Sequence, residues 1–426
     1  MILQTLGGSL IHSMDYEIKK NCRLCNSTKL NSAFSLNSTP LANDFARDRK
    51  KRQNLFPLEI NICIDCGHVQ LAHVVNGEIL FKNYLYASGT SKVFVSHFKH
   101  YANYIKKLLD SPKNSPLVVD IGSNDGTLLN EFKRIGFNVI GVEPAHNLAK
   151  ISQDNSIEVI NDFFNKNSVN EIIVKKGKAD VITANNVFAH INELQNVIHD
   201  AYSLLSDEGL LVFEVSYLYS VLEGLLFDTI YHEHLDYHSV LPLKDFIEKN
   251  GFKIIDILLV DSHGGSIRVT SSKKQSLQQP RESVRSFVSK EKRSPITIET
   301  LNDFYNKIQQ EKYKIKKYLK TLKSDGKKIV AYGAPAKLTT LFYEFDINSD
   351  LIDFVIDDSP LKQGLYTPGS HIPIMSADTV DLKSIDVIFI AAWNFAPSII
   401  ENIKNFLKSD ALFIVPLPKF KIISNE

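Results

Sequence analysis

From residue 117 onward, the apolar positions fall into short continuous runs separated by stretches with helical spacing. Leu117–Ile121 reads as a buried strand, followed by a glycine-bearing turn, the helical pattern Leu128–Ile135 and a second strand, Asn138–Val142. Ala179–Ala184 and Leu210–Val215 read as two further strands, with the helical run Leu194–Leu205 between them. Ahead of these, Val93, Phe94, Phe98, Tyr101, Ile105, Leu108 and Leu109 recur at helical spacing and lead into Pro116. A second cycle starts at Lys328–Tyr332 and continues through Ile352–Ile356, Val387–Ala391 and Leu412–Val415. A polar, charged stretch (271–293) and a long helix (298–322) separate the two cycles. Strands alternating with helices predict an α/β fold of mostly parallel sheets covered on both faces. The expected order is an extension at 1–20, a small loop-rich lobe at 21–75, an α/β unit at 76–272, a linker and helix at 273–325, and a second α/β unit at 326–426.

Composition changes this picture little but removes several functions. The 426 residues call for more than one domain, and 44% hydrophobic with 23% charged residues is ordinary for a globular protein. A net charge of +1 gives no general attraction to nucleic acid or to an anionic membrane. No apolar run reaches the length of a transmembrane helix, and the N-terminal MILQTLGGSLIHSM lacks the basic flank and cleavage site of a secretion signal. A cytoplasmic location and a monomer are expected.

All four cysteines lie between positions 22 and 66, as Cys22-x-x-Cys25 and Cys63-x-x-Cys66. A two-residue gap lets both thiolates of a tight turn face one ion, and two such knuckles complete a tetrahedral site. Closed coordination makes the expected zinc structural. Free thiols and a redox pair are the alternatives, and neither motif opens a helix after a strand as a redox pair would.

Asp120-Ile121-Gly122-Ser123-Asn124-Asp125-Gly126 closes a strand and opens a helix, with a spacing unlike the dinucleotide fingerprint. The next strand ends at Glu143, a carboxylate able to accept from both hydroxyls of a ribose. Asn185, Asn186 and His190 follow another strand end, where ligands of open α/β sheets bind. Asp162-Phe163-Phe164 offers an acid and a ring, with Phe164 expected beside an adenine; a core role for the phenylalanines is the alternative. Tyr231-His232-Glu233-His234, with His238 close behind, concentrates three histidines in seven positions. On a helix, Tyr231, His234 and His238 would share a face. An acid/base cluster is the preferred reading, with a polar turn or a second metal as alternatives.

The succession CxxC…CxxCGHVQL, YLYASGTS, VVDIGSNDGTLL, GVEPA, ANNVFAHI, YHEHLDYHS, GGSIRV, YGAPAK, DDSPLKQGLYTPGSHIPI and AAWNF resembles the sugar C-methyltransferases of deoxysugar pathways, from about residue 20 to 418. The resemblance implies a zinc lobe, a central class I S-adenosylmethionine (SAM) domain and a C-terminal Rossmann-like domain. It implies SAM and zinc as cofactors and a nucleotide-linked keto-sugar as substrate, methylated at a ring carbon beside the ketone through an enolate. Carried onto this chain, Asp120, Gly122, Asn124, Gly126, Glu143, Phe164, Asn185, Asn186 and His190 would hold SAM. His234 would be the base, with Tyr231, Glu233 and His232 around it. Tyr84, Tyr86 and Ser88 would close over the site, and Tyr332, Gly333 and Lys337 would hold the diphosphate through backbone amides and a cation. Ala336-Lys337-Leu338-Thr339-Thr340 departs from the family's Ala-Lys-Gly-Asn-Thr, which leaves that last contact open. Methylation of oxygen or nitrogen on another metabolite, and a binding protein that only borrows the fold, remain as rival readings.

Overall fold

A computed structural model describes residues 15–81, 87–90, 92–109 and 114–425. Three main sheets organise these residues. The central one runs, in spatial order, Phe252–Val260, Ser266–Lys273, Leu205–Ser216, Ala179–Asn185, Leu117–Ile121, Asn138–Val142 and Val159–Ile160. The last five strands are mutually parallel, whereas Ser266–Lys273 enters antiparallel to Leu205–Ser216 and Phe252–Val260 antiparallel to it. Burial from both sides explains the unbroken apolar runs: Val118, Val119, Val181, Ile182, Leu211, Val212 and Phe213 are fully buried.

The N-terminal lobe carries a four-stranded antiparallel sheet, Leu30–Thr39, Phe56–Cys63, Val69–Leu71 and Asp236–Tyr237. Its outermost strand thus comes from the middle of the chain, directly after the Tyr-His-Glu-His segment. The C-terminal sheet runs Ile374–Met375, Val355–Ile356, Ile329–Tyr332, Val387–Ile390, Leu412–Val415 and Lys421–Ser424, parallel except for its last strand. This is the expected α/β architecture of a zinc lobe followed by two Rossmann-like units.

One departure from the sequence pattern has a local cause, and the expected long helix is present. The charged stretch 271–293 contains the helix Glu282–Arg293, because Glu291 turns inward. The Glu291 carboxylate accepts from the amides of Val240 (2.7 Å) and Leu241 (2.8 Å) and from the Tyr217 hydroxyl (3.0 Å). It caps the helix Val240–Lys249 from outside that helix. The long helix Ile298–Ser324 starts on a Thr297/Thr300 capping box and buries Leu301, Phe304, Ile308, Ile315 and Leu319 against the lobe and the C-terminal unit. Among the described residues no helix is long and apolar enough to cross a membrane.

Candidate active site

Cys22 and Cys66 sulfurs lie 3.6 Å apart and those of Cys25 and Cys63 3.5 Å apart, with all four within 4.8 Å of one another. A disulfide needs about 2.05 Å. Four sulfurs each about 2.3 Å from a tetrahedral ion would stand about 3.8 Å apart, so the donor set fits zinc. Gly67, at φ 77°, lets the second knuckle close.

At the carboxyl end of the central sheet, Gly122 (φ 66°) and Gly126 (φ 77°) hold the glycine loop in the left-handed region. A Cβ on Gly122 would stand 2.7 Å from Val187 Cγ2, and one on Gly126 would strike Ser152 Oγ. Only glycine fits this cradle. The Glu143 carboxylate accepts from the amides of Asn124 and Ala145, both at 2.8 Å, which fixes its orientation at the adjacent strand end. Burial raises its pKa. Asp120 accepts from the Thr183 hydroxyl at 2.6 Å, and burial pushes its carboxyl up to about 7. An incoming ammonium would reverse that shift. Both polar atoms of the Asn185 amide are buried with no partner among the described residues, at the end of the strand Ala179–Asn185. Asn186 adopts φ 55° and donates its amide to Glu214 O. These orphaned groups and the glycine cradle fit a bound SAM.

Other expected cofactor and substrate contacts land differently. Phe164 packs into the core with Val169 and Ile172, and the exposed ring beside Asp162 is Phe163 (45% exposed). Ser88 lies over the glycine loop, its amide donating to Asn124 Oδ1 (3.0 Å), while Gly89 N–H donates to Asp125 Oδ2 (2.7 Å). Tyr84 and Tyr86 lie outside the described residues.

The segment 227–238 is not the helix on which Tyr231, His234 and His238 would share a face. It is a short 3-10 turn, Phe227–Thr229, followed by a bend into the strand Asp236–Tyr237. His238 consequently turns toward His68 in the lobe (ring centroids 5.7 Å) and away from His234. His232 also turns into the lobe, with Nε2 3.3 Å from Phe56 O and its ring edge-on to Phe56. Glu233 is buried and accepts from Asn43 Nδ2 at 2.7 Å.

His234 points the other way, into the junction between the central sheet and the C-terminal unit. Its Nδ1 lies 2.7 Å from Thr229 O, and only an N–H can bond a carbonyl, so Nδ1 carries the proton. Nε2 is therefore the lone-pair nitrogen and accepts from the Tyr231 hydroxyl at 2.9 Å. The His190 ring stands 5.0 Å away. Burial, and then the neighbouring His190, hold the His234 pKa well below the ordinary histidine value, and burial holds His190 down to about 4. His263 joins this group from the Ser262–Gly265 turn, its pKa pressed down to about 3 by burial and then by Lys337.

Lys337 completes the cluster from the C-terminal unit. Its ammonium donates to His263 O (3.2 Å), lies 5.0 Å from the Trp393 ring centroid and feels the Asp228 carboxylate, which the Trp393 indole also bonds at 2.6 Å. At the loop expected to hold a diphosphate, the expected groups already have partners within the protein. Gly333 N–H is bonded to Ile356 O (2.7 Å) and Ala334 N–H to Asp357 (2.6 Å), while Tyr332 donates to Asp358 (2.8 Å). The loop thus meets carboxylates and offers neither amide to an anion. The departure at 338–340 also has a structural account. Leu338 is core, Thr339 donates to Ala42 O (3.3 Å) in the lobe, and Thr340 donates to Ile230 O (2.8 Å) beside Tyr231.

Sequence reasoning missed His97, Glu214, Asp228, His263 and Arg268 as site residues. Arg268 Nε donates to Glu214 Oε1 at 2.6 Å and His97 Nε2 lies 2.8 Å from Glu214 Oε2, a chain leading from the sheet toward His263. The GGSIRV and AAWNF strings hold the Arg268 and Trp393 signals; His97 has none.

Family comparisons agree with this arrangement of parts. A zinc binding domain model matches residues 22–81, a methyltransferase domain model 95–257, and a C-methyltransferase C-terminal domain model 261–418. C-methyltransferase NovU of Streptomyces niveus is 33% identical over 408 residues, covering 95% of this chain and 97% of its own length. Among solved structures, magnesium protoporphyrin IX methyltransferase of Synechocystis PCC 6803 with bound SAM is 15% identical, with a TM-score of 0.33 over 43% of this chain and 82% of that one. A SAM-dependent methyltransferase of Clostridium acetobutylicum is 12% identical, with a TM-score of 0.34 over 41% and 92%. On the near full-length match to a C-methyltransferase and the three family models in series, this chain belongs to the SAM-dependent C-methyltransferases with an N-terminal zinc-binding domain.

Proposed function

We propose that this C-methyltransferase acts on a nucleoside-diphosphate-linked keto-deoxysugar, at a ring carbon next to the ketone. The observation that carries the reading is the His234–Tyr231 pair, whose hydrogen bonds leave a lone-pair nitrogen beside a tyrosine hydroxyl and within the field of Lys337. Methylation at carbon needs a carbanion, and a neighbouring ketone makes a ring C–H acidic enough to supply one. His234 Nε2 is the proton acceptor: the carbon proton passes to the Tyr231 oxygen while the Tyr231 proton passes to Nε2. Thr229 O keeps Nδ1–H and holds the ring through that transfer. The resulting imidazolium and the Lys337 ammonium then face the enolate, so charge that is costly in the free site is balanced as the reaction proceeds. Bound SAM supplies the electrophilic methyl group that the carbon takes up.

Asp120, Glu143 and Asn185 orient SAM at the strand ends, with Phe163 the ring available to its adenine. Glu233 positions the catalytic bend against Asn43 of the lobe. His232 serves the packing of that bend. A nucleotide-sugar substrate and reduced cysteine ligands both suit the cytoplasm, where the enzyme would work as a monomer.

Two measurements test this. Enzyme, SAM and a nucleotide-linked 4-keto-6-deoxysugar should yield a product heavier by one methyl on carbon. In heavy water without SAM, the same sugar should exchange deuterium at the carbon beside the ketone in wild type but not in His234→Ala. No methylated product from any 3- or 4-keto sugar, or unchanged exchange in His234→Ala, would sink the reading.

A further inference from the structure

Arg23 stands between the two ligands of the first zinc knuckle, yet its side chain does not serve the zinc lobe alone. It is 3% exposed and spends its donors on two catalytic elements. Nε donates to Asp236 Oδ1 at 2.9 Å, two residues beyond His234. One terminal nitrogen donates to Asn192 Oδ1 (3.1 Å); the other donates to Asn192 O (3.0 Å) and Ile191 O, directly after His190. His68, from the strand connection after the second knuckle, bonds the same Asp236 oxygen at 2.8 Å. Leu235 lies between the same elements: its amide donates to Ala189 O (2.7 Å) and its carbonyl accepts from Leu71 N (2.9 Å) of the lobe sheet. The bend bearing His234 and the turn bearing His190 are therefore fastened to each other directly, at Leu235 and Ala189, and a second time through the side chain of the knuckle's Arg23.

We propose that Arg23 is a positioning residue for carbon methylation, a rigid fork by which the zinc knuckle sets the spacing of the His190 and His234 rings. A planar guanidinium can hold a carboxylate on one edge and two carbonyls on another, while a lysine ammonium reaching Asp236 has no fixed fork for the turn at 191–192. Zinc occupancy then bears on chemistry as well as on folding, because the knuckle backbone aims the fork; Arg23 N–H is itself fixed at 2.8 Å to Gln70 Oε1. The inference rests on the reading of His234 as proton acceptor.

Zinc-loaded full-length Arg23→Lys and Arg23→Ala should be compared with wild type for zinc content, SAM affinity by calorimetry, and kcat. The expected result is full zinc, a SAM Kd within about twofold, and kcat lower by about 100-fold in both, as for a misplacement near 1 Å. Added guanidinium ion at millimolar concentration should restore part of the kcat of Arg23→Ala. If Arg23→Ala does not fold, Arg23→Lys decides by the same criteria. Arg23→Lys with full zinc and kcat within about threefold of wild type overturns the proposal, as does loss of SAM affinity in step with kcat. An active His234→Ala would instead overturn the reading on which it rests.

Discussion

Replacing Asp120 with asparagine should make the protein more stable and a worse binder of SAM. The carboxyl is buried, accepts from Thr183, and its pKa rises from 3.8 to about 7, chiefly through burial, with the Glu143 charge adding to it. The unfolded chain releases this proton first. Stability therefore falls as pH rises from about 4 to about 7 and stays low above that, while below about 4 both states are protonated and nothing is lost. At ~1.4 kcal/mol per unit, the shift amounts to ~4 kcal/mol at pH 8. Asparagine keeps an acceptor for Thr183 and removes the charge, so most of that cost disappears. For a unit of this size a gain of a few kcal/mol corresponds to a melting temperature higher by about 5–10 °C. On the proposed contact of Asp120 with the SAM ammonium, loss of a charge-assisted bond worth ~1.5–3 kcal/mol should weaken SAM binding by roughly 10- to 150-fold. Thermal melts of both proteins without SAM from pH 4 to 8, with calorimetric SAM titrations at pH 8, measure the two effects. A variant no more stable at pH 8, or a gain independent of pH, would refute the argument from burial. An unchanged SAM affinity would refute the contact.

Tyr231→Phe removes the donor to His234 Nε2 and should lower kcat by about 10²- to 10⁴-fold at unchanged SAM affinity, as read by steady-state kinetics with calorimetry. Because burial holds the His234 pKa below its ordinary value, the proton-accepting form persists as pH falls. Accordingly kcat at saturating SAM, where Asp120 is paired with the cofactor, should show no loss with an apparent pKa near about 6.5; such a loss, absent in His234→Asn, would contradict this. Removing zinc with a strong chelator, or Cys63→Ser, should cost the lobe its fold and the enzyme its activity, with SAM affinity less affected; circular dichroism and metal analysis check it. Gly122→Ala forces a Cβ to 2.7 Å from Val187 at φ 66° and should weaken SAM binding at least about tenfold, with a stability loss of ~1–2 kcal/mol.

Features whose parts lie close along the chain are legible in the sequence. Two cysteines in a tight turn must face one ion. Gly122, Gly126 and the strand-end carboxylates Asp120 and Glu143 follow from one strand–turn–helix and its neighbour. The motif succession, tied to these, points to SAM, zinc and the C-methyltransferase family. The bend at 227–238 is less legible, because local spacing there suits a helix, while pairing of Asp236–Tyr237 with Val69–Leu71 makes it a strand. Backbone hydrogen bonds to a segment more than 160 residues away outweigh that local pattern. The same pairing sends His232 and His238 into the lobe and His234 toward Lys337.

Sequence by itself determined which chemical groups this protein owns: four thiolates, a glycine cradle, two strand-end acids and a histidine-rich bend. Tertiary structure decided which of them meet. It set Lys337 among the histidines, left Phe163 and not Phe164 exposed at the surface, and brought Arg23 from the zinc knuckle to Ile191 and Asp236, the neighbours of His190 and His234. Local spacing fixes direction only within a strand or a helical turn. Encounters across one or two hundred residues are set by which faces pack, and no short stretch of sequence records that.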